Sequence, residues 1–165
     1  IGKDVLRFFM LTRKNDAHLD FDLEKCLNET NENPSFYVQY AYARISSLKK
    51  IAKRKKIKLD ENKVGDMGKL VLSPEISIIK CLSLWPKIIE SSVVYKEPHR
   101  IVYYLIELSG KFHTYWSLGK SDKNYKILSD DNFDLTQARL LLLEMIQNVI
   151  KNGLEILSVS IKDKM

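Results

Sequence analysis

Long stretches of helical periodicity, interrupted by few glycines and prolines, constrain the fold of this chain more than any other feature. Only 6 Gly and 4 Pro occur among its 165 residues. Sandwiches of short strands need many more turn-forming residues. Apolar side chains instead recur every three or four residues, as they do on one face of an α-helix. The sequence therefore predicts an all-α fold, a bundle of five or six helices within one compact domain.

The boundaries of these helices follow from capping residues and from the prolines in their first turns. We predict helices over residues 2–12, 34–58, 74–84, 86–95, 98–118 and from 134 onwards, with residues 15–23 as an extended connector and residues 119–133 as a polar loop. The predicted N-caps are Asn33, Ser73 and Asp134. Gly153 either ends the last helix or lies inside it at a cost of about 1 kcal/mol.

Two of the helices carry a sustained apolar stripe, which predicts the core. On the 34–58 helix the stripe comprises Tyr37, Ala41, Ile45, Leu48 and Ala52. On the helix that follows Pro98 it comprises Ile101, Leu105, Leu108, Phe112 and Tyr115. Both stripes step by three or four residues, so we expect both to face the core.

The side chains needed for catalysis or metal binding do not form any recognisable motif. The 2 Cys and 3 His residues show neither a C-x-x-C nor an H-x-x-x-H spacing. No run of about eighteen apolar residues and no signal-peptide pattern occurs, which predicts a cytoplasmic protein without a membrane partner. We predict no catalytic residue, no metal site and no cofactor in this chain.

Cationic surface next to aromatic rings is the composition typical of a nucleic-acid binder. The formal net charge is +6, and residues 49–58 contain seven cations in ten positions. Lysines in this run, Lys53 and Lys55 among them, could contact phosphates, or the run could simply be a solvated helix end. The alternative function is a helical protein-interaction module in which the basic helix docks an acidic partner.

Three blocks of the chain carry a resemblance to a known family. They are residues 2–11 (GKDVLRFFML), residues 19–23 (LDFDL) and residues 33–45 (NPSFYVQYAYARI). Residues 97–100 (EPHR), 138–140 (ARL), 152–157 (NGLEIL) and the terminal Met165 follow in the same order. Together these blocks resemble the C-terminal part of bacterial-type arginyl-tRNA synthetases, which are class I aminoacyl-tRNA synthetases.

The resemblance implies that residues 33–165 form a DALR anticodon-binding domain, and that residues 1–32 lead out of a catalytic domain absent from this chain. It implies a monomer whose partners are the anticodon loop of arginine tRNA and the remainder of the synthetase. The full-length enzyme would use ATP with Mg to attach arginine. The tRNA-binding residues that the resemblance implies are Tyr37, Gln39, Tyr40, Arg44, Phe112, His113, Tyr115, Trp116 and Met165. The basic run adds Lys53 and Lys55 as candidate phosphate contacts.

The chain departs from the family pattern at two places. Gly119 and residues 120–126 replace positions where relatives often carry more aromatic residues, and Ser158 stands where the family commonly has Gly. The first departure falls next to the implied tRNA-binding residues, so we expect the pocket for the anticodon bases to differ there from that of the relatives.

Overall fold

The fold of the chain is all-helical, as predicted. A computed structural model describes residues 2–14, 17–18, 27, 30, 32–57, 67–129 and 131–162. Six α-helices and no strand occur in this part of the chain. They are α1 (Lys3–Met10), α2 (Pro34–Arg54), α3 (Ser73–Ser83), α4 (Trp85–Val94), α5 (His99–Ser121) and α6 (Phe133–Ile156), with a 3₁₀ turn at Lys123–Tyr125.

Helix α5 lies at the centre of the bundle and packs against α2, α3, α4 and α6. Its predicted stripe is confirmed, because the five residues from Ile101 to Tyr115 are all buried. The stripe on α2 is buried from Ala41 to Ala52, while Tyr37 at its start is only half-buried. The start of the stripe, at Tyr37, is therefore closer to the protein surface than the rest of it.

Helix α2 begins as predicted and ends earlier than predicted. The Asn33 side chain accepts hydrogen bonds from the backbone N–H groups of Ser35 and Phe36, at 3.1 and 3.2 Å. The helix ends at Arg54 rather than at residue 58, and Lys56 adopts a φ of 59°. This left-handed residue turns the chain so that the Ile57 N–H bonds back to the Ala52 carbonyl at 2.9 Å. Ile57 then packs on the core, which explains the early end.

Two predicted N-caps were wrong by one or two residues. Leu72, not Ser73, is the N-cap of α3, and its backbone N–H donates to the Glu75 carboxylate at 3.1 Å. Asn132, not Asp134, caps α6 by accepting from the Leu135 N–H at 3.0 Å. In both cases the helix begins one or two residues before the predicted position, so the capping preference alone did not decide between neighbours.

The segment predicted as a polar loop over residues 119–133 contributes to the core. Helix α5 continues to Ser121, and the 3₁₀ turn packs back against it. Ile127 and Leu128, which follow the turn, are buried. The polar residues around them concealed this apolar pair in the sequence.

Gly153 lies inside α6, where the absence of a side chain allows a close helix contact. A Cβ atom at this position would lie 2.7 Å from Leu105 Cδ2 on α5. Glycine inside a helix lowers its stability relative to alanine, but here it allows α5 and α6 to pack closely. Ser158, where the resemblance implies a glycine, has a φ of 53°, the backbone conformation that favours glycine.

Helix α1 packs against α2, and the Arg7 guanidinium donates to the Ser158 carbonyl at 2.9 Å. The residues before position 33 thus include a helix docked on the bundle. The connector predicted over residues 15–23 falls almost wholly outside the described residues. None of the described helices combines the length and the apolarity needed to cross a membrane.

Candidate nucleic-acid interface

An open cleft of about 550 Å³ lies between the first half of α2 and the second half of α5. Its lining residues are Tyr37, Tyr40, Arg44, His113, Thr114, Ser117, Leu118, Lys120 and Ser121. No carboxylate occurs among these described lining residues, whereas Arg44 and Lys120 are cations. The volume is within the range of pockets that hold small organic ligands.

Arg44 is the centre of this cleft. Its guanidinium carbon lies 4.3 Å from the centroid of the Tyr40 ring, and its Nη2 donates to the Tyr40 hydroxyl at 2.6 Å. The Phe36 ring also stacks on the Tyr40 ring, with centroids 5.7 Å apart and an interplanar angle of 16°. The α-helical spacing of four residues places Arg44 over Tyr40. A planar cation and stacked rings are therefore held together at the surface.

His113 connects α5 to this cluster through both ring nitrogens. Nε2 lies 3.1 Å from the Tyr37 carbonyl oxygen, which can only accept, so Nε2 carries the hydrogen. Nδ1 lies 3.2 Å from the Arg44 guanidinium, which can only donate, so Nδ1 is unprotonated. Both contacts require the neutral imidazole. Burial lowers the pKa of His113 below its usual value of 6.5, and the Arg44 charge lowers it further.

The neutral His113 makes the stability of the fold dependent on pH. Because its pKa is lower in the folded than in the unfolded chain, the unfolded chain binds the proton more readily below pH 6.5. We therefore expect the free energy of unfolding to decrease as the pH falls through this value. Urea unfolding at about pH 7.5 and about pH 5.5 measures the loss.

The matched variant for this experiment is His113→Gln, whose amide can donate to Tyr37 and accept from Arg44 without titrating. It should lose less stability between the two pH values than the unaltered chain does. Equal losses in the two proteins would mean that other groups cause the pH dependence.

Three of the predicted tRNA-binding residues are buried and do not line the cleft. Phe112 and Tyr115 are 0% exposed, and Tyr115 donates from its hydroxyl to Glu75 Oε1 at 2.8 Å. Gln39 is 2% exposed and donates to the Ser160 carbonyl at 2.9 Å, which joins α2 to the end of the chain. In this structure their side chains support the bundle and are not available to stack on or bond to a base.

The remaining predicted residues lie beside the cleft or beyond the described part of the chain. Trp116 is half-buried, with its ring 5.4 Å from the Arg44 guanidinium carbon. Lys53 and Lys55 are exposed at the end of α2. Met165 lies outside the described residues. The structure thus brings Tyr37, Tyr40, Arg44 and His113 into one cleft and sets Trp116 next to them.

Polar residues on α5 complete the cleft and were missed by the sequence analysis. Thr114, Ser117 and Lys120 line it, together with His113. The spacing from 113 to 117 to 120 places them on one face of α5, next to the buried stripe. This polar face was a usable signal, although only His113 of it was predicted from the sequence.

Within the described residues, no group of three or more His, Cys, Asp or Glu side chains is placed to hold a metal ion. The chemistry of the cleft is that of aromatic rings, hydroxyls and cations. Such groups bind unpaired bases by stacking and by hydrogen bonds to base edges, and they hold phosphates by charge.

Comparison with known proteins agrees with this chemistry. The chain is 46% identical over 170 residues to an arginine--tRNA ligase from Rickettsia africae (strain ESF-5), covering 100% of the chain and 29% of that protein. It is 46% identical over 164 residues to the arginine--tRNA ligase of Rickettsia typhi (strain ATCC VR-144 / Wilmington), covering 96% of the chain and 28% of that protein. The chain thus spans less than a third of the length of these relatives.

Two of the solved structures that share the fold are also arginyl-tRNA synthetases. The arginyl-tRNA synthetase of Plasmodium falciparum matches with a TM-score of 0.75 at 22% identity, over 98% of this chain and 26% of that one. The synthetase of Thermus thermophilus matches with a TM-score of 0.73 at 20% identity, over 98% and 26% respectively. The family model of the DALR anticodon binding domain matches residues 38–165. The chain therefore belongs to the DALR anticodon-binding domain family.

Proposed function

We propose that this chain binds the anticodon loop of an arginine tRNA, as part of an arginine--tRNA ligase that joins arginine to its tRNA. The observation that carries the proposal is the Tyr40–Arg44–His113 cluster in an open cleft without acidic lining residues among those described. Unstacked bases of an RNA loop can stack on such a cluster and bond to its donors, each stacked base contributing about 1–3 kcal/mol.

The role proposed for the chain is binding rather than catalysis. The relatives are arginine--tRNA ligases more than three times as long as the part matched here. We assign the ATP- and Mg-dependent chemistry to the remainder of such an enzyme, which is the second partner of this domain. We further propose a monomer that acts in the cytoplasm, with residues 1–32 leading from the catalytic domain and residues 33–165 reading the tRNA.

Anticodon exchange tests the proposal directly. We expect the chain to bind an arginine tRNA transcript about 5- to 150-fold more tightly than the same transcript with another anticodon, since one good base contact contributes about 1–3 kcal/mol. Filter binding at about 50 mM and about 200 mM salt gives both affinities and the salt dependence. Equal affinity for the two transcripts would disprove anticodon recognition. An absence of binding near physiological salt would favour the protein-interaction module.

Lys53→Ala provides the matched control for charge. Lys53 is exposed on the last turn of α2 and does not line the cleft. A lysine that contacts phosphate should contribute to both transcripts equally and should reduce the salt slope by about one when it is removed. Discrimination between the anticodons should therefore be unchanged in this variant.

A further inference from the structure

His113 lines the cleft, yet little of its surface is free to meet a ligand. The residue is only 9% exposed. Its ring lies against the Tyr37 ring, with centroids 4.5 Å apart, and stacks on the Tyr40 ring at 5.7 Å. Both ring nitrogens already have protein partners, the Tyr37 carbonyl and the Arg44 guanidinium. The side chain therefore has no free nitrogen and little exposed ring to offer to RNA.

The Arg44 guanidinium, by contrast, retains donors for a ligand. Its Nη1 donates to His113 Nδ1, and its Nη2 donates to the Tyr40 hydroxyl. A guanidinium carries more N–H groups than these two bonds use. Arg44 is half-buried and lines the cleft, so a base edge or a phosphate can reach the remaining donors.

The hydrogen bond to His113 fixes the direction of the guanidinium. Arg44 and Tyr40 lie four residues apart on the same helix, so their contact restrains the side chain from one wall of the cleft only. An arginine side chain has many rotamers, and ordering it costs free energy. The bond to Nδ1 ties the guanidinium to α5, the second wall. Contacts from two helices thus hold its plane in one orientation.

The acceptor on His113 is neutral, so it orients Arg44 without cancelling its charge. A carboxylate in the same place would form an ion pair with the guanidinium and would repel phosphate. Nδ1 is an uncharged acceptor, and the described residues that line the cleft include no carboxylate. The positive charge of Arg44 therefore remains available to RNA.

We propose that His113 is a positioning residue, which presents the Arg44 guanidinium to a base edge and does not itself contact the RNA. The inference rests on the proposed function, and it gives His113 a role different from the direct tRNA contact that the resemblance implies. A donor that is already ordered costs less to order on binding. A donor held in one direction also fits some base edges and not others, so the arrangement favours discrimination between anticodons.

His113→Leu tests this role. Leucine keeps an apolar side chain against Tyr37 and Tyr40 but can accept no hydrogen bond from Arg44. The probes are the anticodon stem-loop of an arginine tRNA and the same stem-loop with another anticodon. The variant should lower the ratio of the two affinities about fivefold, the effect of one typical hydrogen bond, and should change binding of the exchanged stem-loop by less than about twofold. Full retention of the ratio would overturn the proposal.

His113→Gln is the conservative variant, and Tyr104→Phe is the control for a purely structural loss. The Gln amide can donate to Tyr37 and accept from Arg44 as the imidazole does, so the affinity ratio should stay within about twofold of that of the unaltered chain. The Tyr104 hydroxyl, also on α5, donates to the Cys81 carbonyl at 3.0 Å, and neither residue lines the cleft. Its removal should lower the melting temperature without changing the ratio. A Gln variant with a ratio as low as that of Leu would contradict the proposal.

A double variant shows whether His113 acts through Arg44. Arg44→Ala combined with His113→Leu should bind the arginine stem-loop as Arg44→Ala alone does, because no guanidinium is left to orient. A further loss of about fivefold in the double variant would mean that His113 contacts the RNA itself, and the positioning role would be wrong. If Arg44→Ala loses the anticodon preference while His113→Leu keeps it, this inference fails alone. If the unaltered chain does not distinguish the two stem-loops, the proposed function fails with it.

Discussion

Replacing Glu75 with Gln is expected to destabilise the bundle by about 3–5 kcal/mol, because it leaves a buried arginine without its counter-ion. Glu75 is 0% exposed and Arg139 is 2% exposed. Arg139 Nε donates to Glu75 Oε1 at 2.7 Å, and the Tyr115 hydroxyl donates to the same oxygen at 2.8 Å. Urea or thermal unfolding of the variant at neutral pH measures the loss.

The amide of Gln would also face donors where the carboxylate only accepted. Glu75 Oε2 accepts from the Leu72 N–H at 3.1 Å, at the start of α3. A Gln side chain can offer one oxygen to these groups, and its NH₂ then faces a second donor. The substitution thus loses a charge and gains an unfavourable contact.

A double-mutant cycle gives the control. Arg139→Gln alone should also be strongly destabilising, whereas the combination with Glu75→Gln should cost clearly less than the sum, since neither charge is then left unpaired. Additive losses in the double variant would mean that the two side chains stabilise the fold independently.

The same ion pair also holds the 3₁₀ turn at Lys123–Tyr125 and the residue after it in place. Arg139 Nη1 and Nη2 donate to the carbonyls of Lys126 and Asn124, at 2.8 and 2.7 Å. The pair therefore connects α3 and α6 to the turn that precedes Ile127 and Leu128. Burial and the adjacent Glu75 charge raise the pKa of the third member of this network, Tyr115, so its hydroxyl remains a donor.

The buried network could not be predicted from the sequence, although the helices around it could. The prediction of the apolar stripe on α5 was correct because helical periodicity is a local pattern that does not depend on how the helices pack. In the sequence, Arg139 belongs to the block at residues 138–140, and no local pattern marks Glu75 as its partner. Their pairing joins positions 64 residues apart, which periodicity does not encode.

The cleft was predicted in part for a related reason. Tyr40 and Arg44 are four residues apart on one helix, so their contact follows from helix geometry. The burial of Gln39 does not follow from helix geometry. It depends on how the chain after α6 folds back and brings the Ser160 carbonyl to the Gln39 side chain. Phe112 and Tyr115 were given both to the core stripe and to the binding surface, and only the first of these roles fits their burial.

Arg44→Ala is expected to cause the largest loss of RNA binding, about 2–3 kcal/mol, or roughly 30- to 150-fold in affinity. The guanidinium contacts the Tyr40 ring, the Tyr40 hydroxyl and His113 Nδ1 in the cleft, and it also lies over Trp116. Its removal deletes one cation together with its contacts to the Tyr40, His113 and Trp116 rings. Titration of the arginine anticodon stem-loop measures the loss, and a thermal melt of the variant checks that the bundle still folds.

Arg44→Lys separates the charge of this residue from its shape. Lysine keeps the positive charge but lacks the planar fork that can stack on Tyr40 and donate to His113 at the same time. We therefore expect Lys to recover the salt-dependent, sequence-independent part of the affinity while the preference for the arginine anticodon remains reduced. Full recovery of that preference in Arg44→Lys would show that the residue acts as a charge alone. The base contacts would then have to come from Tyr37, Tyr40 and the polar face of α5.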